Sequence, residues 1–238
     1  MYTIAHITDL HQNDFLSNYY RADSAAHVQR VLGDAIANKA DCVVLTGDFG
    51  DPAQLKNVID SIKSFGLPYY LSLGNHDDSD QIVPYIDASI QNPRFFSRMH
   101  INGHYALILN SHMDTIQDEQ MRWLESELSA CDGPVCLFLH HPVLDCGRTI
   151  MDKKYPLKNR KAVSRLLYDH SHPVYVFAGH YHNEFYTASK NIIQYVTPSC
   201  MVQLLNSRWR IKLGSRSYGY RLVELNGREV ATRTIMFD

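Results

Sequence analysis

The sequence predicts an α/β fold with a largely parallel sheet in its first part and a second, more antiparallel sheet after it. Three observations point there. Short apolar runs alternate with helix-like stretches up to about residue 90, the pattern of βαβ units. After "GHYH" at 179–182 only short strand-like runs remain. Five of the apolar runs end in Asp, Asn or His, usually beside Gly or Pro, as expected where the strand tips of an α/β sheet share one ligand crevice.

Taken in order, "YTIAHIT" reads as a strand and "DSAAHVQRVLGDAIAN" as a helix capped by Asp23 or Ser24. "DCVVLT" is a strand, "PAQLKNVIDSIKSFG" a helix with Pro52 in its first turn and Gly66 past its end, and "PYYLSL" another strand. "RFFSRMHINGHYALILNS" reads as a hairpin turning at Asn102-Gly103. "DEQMRWLESELSA" is an amphipathic helix, "PVCLFL" a buried strand, "NRKAVSRLLYDH" a helix and "PVYVFA" a strand; "EFYTAS", "NIIQYV", "YGYRLVEL" and "EVATRTIMF" are short strands. From Leu144 to Asn159 periodicity is lost, which reads as a functional loop over a site. With no repeat, low-complexity segment or linker, residues 1–238 read as a single domain.

Bulk properties narrow the function. A net charge of −2 gives no overall positive field toward nucleic acid or an anionic membrane, so neither is expected as a partner, although local basic patches such as "RTIMDKKYPLKNRKAVSR" and "RWRIKLGSR" occur and read as solvated faces. "MYTIAHITDL" enters a strand at once without a leader, and no apolar run reaches a membrane span, so a cytoplasmic protein is expected. Five cysteines without a C-x-x-C pair argue against a disulfide framework and a zinc ribbon.

The strand tips carry the chemistry. Asp9-Leu10-His11 follows the first run, Gly47-Asp48 the second, Gly74-Asn75-His76-Asp77 the third, His140-His141-Pro142 the fourth and Gly179-His180-Tyr181-His182 the fifth. In extended backbone, residues two apart face the same way, so His180 and His182 can converge on one spot. Imidazole, carboxylate and amide oxygen without thiolate suit Mn, Fe or Zn better than Ca or Mg, and disfavour a structural zinc site.

The ordered set D-x-H, G-D, G-N-H-D, H-H-P and G-H-x-H, spread over residues 9 to 182, resembles the calcineurin-like metallophosphoesterase superfamily. "VTPSCMVQ" at 196–203, followed by "YGYRLVEL", resembles the bacterial class III cyclic nucleotide phosphodiesterase branch. The resemblance implies a four-layer αββα sandwich of two mixed sheets flanked by helices. It implies two divalent metal ions (Mn, Fe or Zn), with Asp9, His11 and His182 on one, Asn75, His140 and His180 on the other, and Asp48 bridging. It implies that His76 faces the leaving oxygen. Imidazole exchanges protons near neutral pH, so His76 could act as general acid, with Asp77 orienting it. His141 is expected beside the ligands or at the substrate, and Arg148 and Asn159 are expected to touch the substrate because their stretch follows "HHP" directly. Asn110 stands where relatives of this branch commonly show Asp.

Two divalent ions less Asp9, Asp48 and a bridging hydroxide leave about one positive charge, a match for a phosphodiester. The expected activity is hydrolysis of a small phosphodiester, a 3′,5′-cyclic nucleotide such as cyclic AMP first, by attack of that hydroxide. A glycerophosphodiester or phosphomonoester is the alternative within the superfamily. A scaffold that keeps the fold without catalysis is the alternative of another class, disfavoured because every ligand position is filled. A homodimer is compatible with either reading.

Overall fold

The computed structural model describes residues 1–238 apart from Asn102, Arg148 and Asn206. Strands β1 (Tyr2–Ile7), β2 (Cys42–Thr46) and β3 (Tyr69–Ser72) run parallel, connected through helices α2 (Ser24–Ala37) and α3 (Pro52–Ser64). Each helix starts where a carboxylate takes up a free amide: Asp23 accepts from Ala26 N–H, and Asp51 accepts from Ala53 N–H with Pro52 in the first turn. Two short helices, α1 (Phe15–Tyr20) and α4 (Ser79–Ile82), escaped the sequence reading because neither is long enough to show a period.

The second part opens with the expected hairpin of β4 (Ser97–Ile101) and β5 (His104–Ile108), which places Ile101 opposite His104 and Gly103 at φ 76°; Asn102, its other expected turn residue, lies outside the described residues. Helix α5 (Asp118–Ala130), β6 (Val135–Phe138), α6 (Ile150–Lys154), α7 (Arg160–Tyr168) and β7 (Val174–Ala178) follow. Then come β8 (Phe185–Ser189), β9 (Ile192–Val196), the small pair β10 (Gln203–Leu204) and β11 (Leu213–Ser215), β12 (Tyr218–Asn226) and β13 (Glu229–Phe237). The stretch 144–159, expected as loop, therefore contains α6, started by a reciprocal Thr149–Asp152 capping box.

The late strands correct one expectation: they do not make the second sheet the more antiparallel one. Instead β12 and β13 pair antiparallel onto the free edge of β1, giving the order β13-β12-β1-β2-β3. The other sheet, β4-β5-β6-β7-β9-β8, is parallel except at its two edge strands. Sequence periodicity marks a strand but not which edge it joins.

Alternation along the strands builds three apolar cores and hence four layers. Ala5, Ile7, Val43, Leu45, Tyr69 and Leu71 face α2 and α3, where Val28, Val31, Leu55 and Ile59 meet them. Their neighbours Ile4, Cys42, Val44 and Tyr70 turn the other way and pack on Ala106, Ile108, Cys136 and Phe138 of the second sheet. Beyond that sheet, Leu107, Leu137 and Val176 pack on Leu124, Leu128 and Val163 of α5 and α7. The four-layer αββα sandwich follows. The five cysteines are free, buried thiols.

One polar group sits between the sheets. His6 is fully buried, with Nδ1 2.7 Å from Thr197 Oγ1 and Nε2 2.8 Å from Thr46 Oγ1, and its ring lies edge-on to Phe138. Burial pushes its pKa down to about 3, helped by the Arg221 guanidinium and His140 and opposed by Asp9. The folded chain thus keeps His6 neutral while the unfolded chain protonates it below about 6.5. Its contribution is complete above that pH and is lost as pH falls toward 3, about 2 kcal/mol by pH 5. Urea unfolding at pH 8 and pH 5 should show a smaller difference for His6→Gln than for the wild type; identical differences would exclude His6 as the source.

Candidate metal centre

Every tip singled out in the sequence lies at the carboxyl end of a parallel strand, and the two sheets bring their tips together. Asp9 and His11 follow β1, Asp48 follows β2, Asn75, His76 and Asp77 follow β3, His140 and His141 follow β6, and His180 and His182 follow β7. The turn that aims each side chain inward is sharp. Asp9, His11, Asp48, His180 and His182 have φ of 54°, 44°, 53°, 69° and 47°, left-handed backbone that costs a non-glycine residue about 1 kcal/mol or more each. The layers around the tips sustain that strain because the tips are continuous with β1, β2 and β7, whose flanking residues are fully buried.

Two glycines permit the approach. A Cβ on Gly74 would stand 2.2 Å from Asp48 Oδ1, and one on Gly179 would stand 1.9 Å from Thr8 Oγ1. Gly74→Ala must displace the Asp48 carboxylate, and a displacement near 1 Å costs about a hundredfold in rate. We expect that loss in kcat with the melting temperature lowered by only a few degrees; full activity would show that the loop yields without moving Asp48.

Donor atoms form two adjoining groups. Asp9, His11, Asp48 and His182 each offer an atom within 4.8 Å of the others, and Asp48, His140 and His180 do the same. Asp48 Oδ2 lies 3.4 Å from both His11 Nε2 and His140 Nε2, so one carboxylate belongs to both groups. His11 Nε2 is 3.2 Å from His182 Nε2, His140 Nε2 is 3.2 Å from His180 Nδ1, and His182 Nε2 is 3.3 Å from Asp9 Oδ1. Such separations are the edges expected around an ion with bonds of about 2.1 Å.

The outer nitrogens of His11, His140 and His180 are held, while Nδ1 of His182 is buried without a hydrogen-bond partner among the described residues. His140 Nδ1 donates to Thr46 O at 2.7 Å and His180 Nε2 to Tyr155 O at 2.9 Å; carbonyl oxygens only accept, so these nitrogens carry the protons. When those two rings are neutral, His140 Nε2 and His180 Nδ1 are lone pairs 3.2 Å apart, a pair that a proton or a metal ion must satisfy. Asp14 holds His11 Nδ1 at 2.6 Å in the same manner. Asn75 Oδ1 is buried without a hydrogen-bond partner among the described residues, as suits an amide oxygen reserved for a cation. The residues present fit divalent metal ions.

Electrostatics agree. Burial opposes charge on Asp9 and Asp48, yet His182 holds the Asp9 carboxyl down to about 2, and His140 and His11 hold Asp48 well below the usual carboxylate range. Burial also opposes charge on His11 and His140, but Asp14 and Asp48 raise His11 to about 10 and Asp48 raises His140 to about 9. His180 is pushed down to about 4 by burial and by His140. In the unloaded pocket the two carboxylates are matched by protons on His11 and His140, protons that a divalent ion would displace on binding.

The remaining expected residues divide. His76 is exposed at the rim, its ring centroid 5.5 Å from that of His11 and its N–H donating to Asp48 Oδ1 at 3.0 Å. Asp77 does not orient it. The Asp77 carboxylate accepts instead from the N–H groups of Asp48, Phe49 and Gly74, each at 2.8 Å, and so braces the loops that carry Asp48 and Asn75. Asn159 is not free for substrate either, because its amide accepts from Ile116 N–H at 3.1 Å and donates to Ile116 O at 2.8 Å. His141 is fully buried, bonded through Nδ1 to Ser111 Oγ at 2.9 Å, with its ring 4.2 Å from His180, so it supports the centre from behind. Arg148 lies outside the described residues.

The sequence reading missed Asp14, whose spacing from His11 reads only as a helix cap, and it missed the carbonyls of Thr46 and Tyr155, which have no side-chain signature.

A donor set of this kind at the strand ends of two sheets packed face to face marks the class of phosphoester hydrolases. The chain belongs to the calcineurin-like phosphoesterase family, whose model matches residues 2–184. It is 32% identical over 189 residues to a "Probable cyclic nucleotide phosphodiesterase" of Fibrobacter succinogenes, covering 77% of this chain and 74% of that one. It is 28% identical over 206 residues to the glycerophosphodiester phosphodiesterase GpdQ of Enterobacter lignolyticus, covering 76% and 70%. Among solved structures, a dimetal phosphatase from Danio rerio superposes with a TM-score of 0.71 at 16% identity over 99% of this chain and 98% of that one, a likeness of fold.

Proposed function

We propose that the whole chain, 1–238, works as one cytoplasmic domain that hydrolyses a small phosphodiester, with a 3′,5′-cyclic nucleotide such as cyclic AMP as the leading substrate. The observation that carries the reading is the Asp48 carboxylate shared between two donor groups. Asp9, His11 and His182 would hold one divalent ion, Asn75, His140 and His180 a second, and Asp48 both. When bound, such ions supply Lewis acidity toward a phosphoryl oxygen and lower the pKa of water to near neutrality.

The chain's own groups do the rest. Asp9 and Asp48 contribute two negative charges, few enough that a loaded site stays attractive to a phosphodiester anion. Asp14 and the carbonyls of Thr46 and Tyr155 fix the rings of His11, His140 and His180, so that no rearrangement is required during the reaction. His76, exposed and next to Asn75 in sequence, would deliver a proton to the departing alkoxide.

The name of the Fibrobacter succinogenes relative supports the cyclic nucleotide, and the likeness to GpdQ supports a glycerophosphodiester as second substrate class. The test is parallel hydrolysis of cyclic AMP, glycerophosphodiesters, bis-nitrophenyl phosphate and a nitrophenyl monoester, metal-free and with Mn²⁺. Metal-dependent cleavage of cyclic AMP is the expected result. Cleavage of the glycerophosphodiester alone would move the substrate assignment to the second class, and no cleavage of any ester would overturn the reading in favour of a scaffold.

A further inference from the structure

The stretch "RWRIKLGSR" is not used by the centre, and it joins basic and apolar side chains on one exposed segment. Between Glu184 and Glu224 the chain contains no acidic residue, although its net charge is −2. Within that interval the β10–β11 hairpin ends in Arg208, Trp209, Arg210, Ile211, Lys212 and Leu213, cation alternating with apolar side chain and all six exposed. Trp209 is 84% exposed. Asp114 pairs with Lys158, Asp145 and Asp152 with Arg160, and Glu184 with Arg221.

The hairpin is fastened to the rest of the molecule. Ser207 O accepts from Ile150 N–H of α6 at 2.8 Å, and Lys212 O accepts from Leu205 N–H at 2.8 Å. Leu204 N–H donates to the carbonyl of His182 itself at 2.7 Å, so the hairpin adjoins the metal centre. Lys153 of α6 lies 5.9 Å over the Trp209 ring and adds a further cation, with exposed Lys154 beside it in sequence.

We propose that this hairpin docks the protein on an anionic phospholipid bilayer, with Trp209, Ile211 and Leu213 entering the headgroup boundary and Arg208, Arg210 and Lys212 meeting lipid phosphates. Charge complementarity selects this occupant. A second copy placed symmetrically would set cation against cation. A polynucleotide would stack on Trp209 but gains little from Ile211 and Leu213, which suit hydrocarbon. Net charge pointed away from membranes because it averages a surface on which the positive groups are gathered in one place. No helix among the described residues is long and apolar enough to span a bilayer, so the contact is peripheral.

The experiment is sedimentation of the full chain with vesicles of phosphatidylcholine alone or mixed equally with phosphatidylglycerol, at low and physiological salt, without substrate, so its outcome is separate from the phosphodiesterase reading. Binding to the mixed vesicles only, weakened by salt, is expected. Each cation is worth about fivefold in partition, so R208Q/R210Q/K212Q should bind roughly a hundredfold less. Tryptophan emission should shift to the blue on vesicle addition and fail to do so in Trp209→Ser. Unchanged circular dichroism and melting temperature establish that the variants fold. The proposal is overturned by absence of mixed-vesicle binding, by undiminished binding of the triple variant, by hairpin-dependent binding to a single-stranded oligonucleotide in place of vesicles, or by a Trp209-dependent dimer in sedimentation velocity.

Discussion

Asp48→Ala protein is expected to fold, to bind less than a full complement of Mn²⁺, and to hydrolyse bis-nitrophenyl phosphate at least about a thousandfold more slowly than the wild type. Among the described residues Asp48 is the carboxylate shared by both donor groups, its Oδ2 3.4 Å from His11 and from His140, so its loss should deplete both at once. Removing His11 or His180 would deplete one group and should leave more metal behind. Metal content by elemental analysis and kcat/KM on the same preparation check this together. Wild-type metal content with wild-type activity would mean that the two groups are independent and that the shared carboxylate is incidental.

His76→Ala should separate substrates by leaving group. With cyclic AMP, whose departing alkoxide needs a proton, a loss of about a hundredfold to ten-thousandfold in kcat is expected; with a nitrophenyl diester, whose leaving group departs as a stable anion, the loss should be less than about tenfold. Asp77→Asn serves as contrast. Because Asp77 braces the amides of Asp48, Phe49 and Gly74, its replacement should slow both substrates alike and lower metal affinity. Equal losses on both substrates for His76→Ala would assign His76 to the loop's architecture and remove it from proton delivery.

The inward-facing donors were legible because each lies at the end of an apolar run, where the strand period gives out and a polar residue must be accounted for. The ring orientations were not, since the groups that fix them include backbone carbonyls at Thr46 and Tyr155, and a carbonyl is present at every residue. Asp77 and Asn159 were misread for a related reason. Both are polar and near the tips, but their hydrogen bonds go to backbone amides of neighbouring loops, partners that only tertiary contact supplies. The four layers were implied by the resemblance and not by the strands themselves, whose near-continuous apolar runs mark burial without showing what covers each face, and the attachment of β12 to β1 was not legible. His6 is a buried structural group, and nothing in "TIAHIT" shows that it faces a second sheet.

The pairing of β1 with β12, which sets Ala5 opposite Leu222, also fixes an order of events during synthesis. The segment bearing Asp9 and His11 is made before the strand that covers its free edge, and all the other donors are made between the two. Until then β1 has an open edge, and the tip that carries Asp9 and His11 lacks the strand that flanks it. A divalent ion would therefore meet the complete donor set, with β1 flanked on both sides, only once β12 has been made.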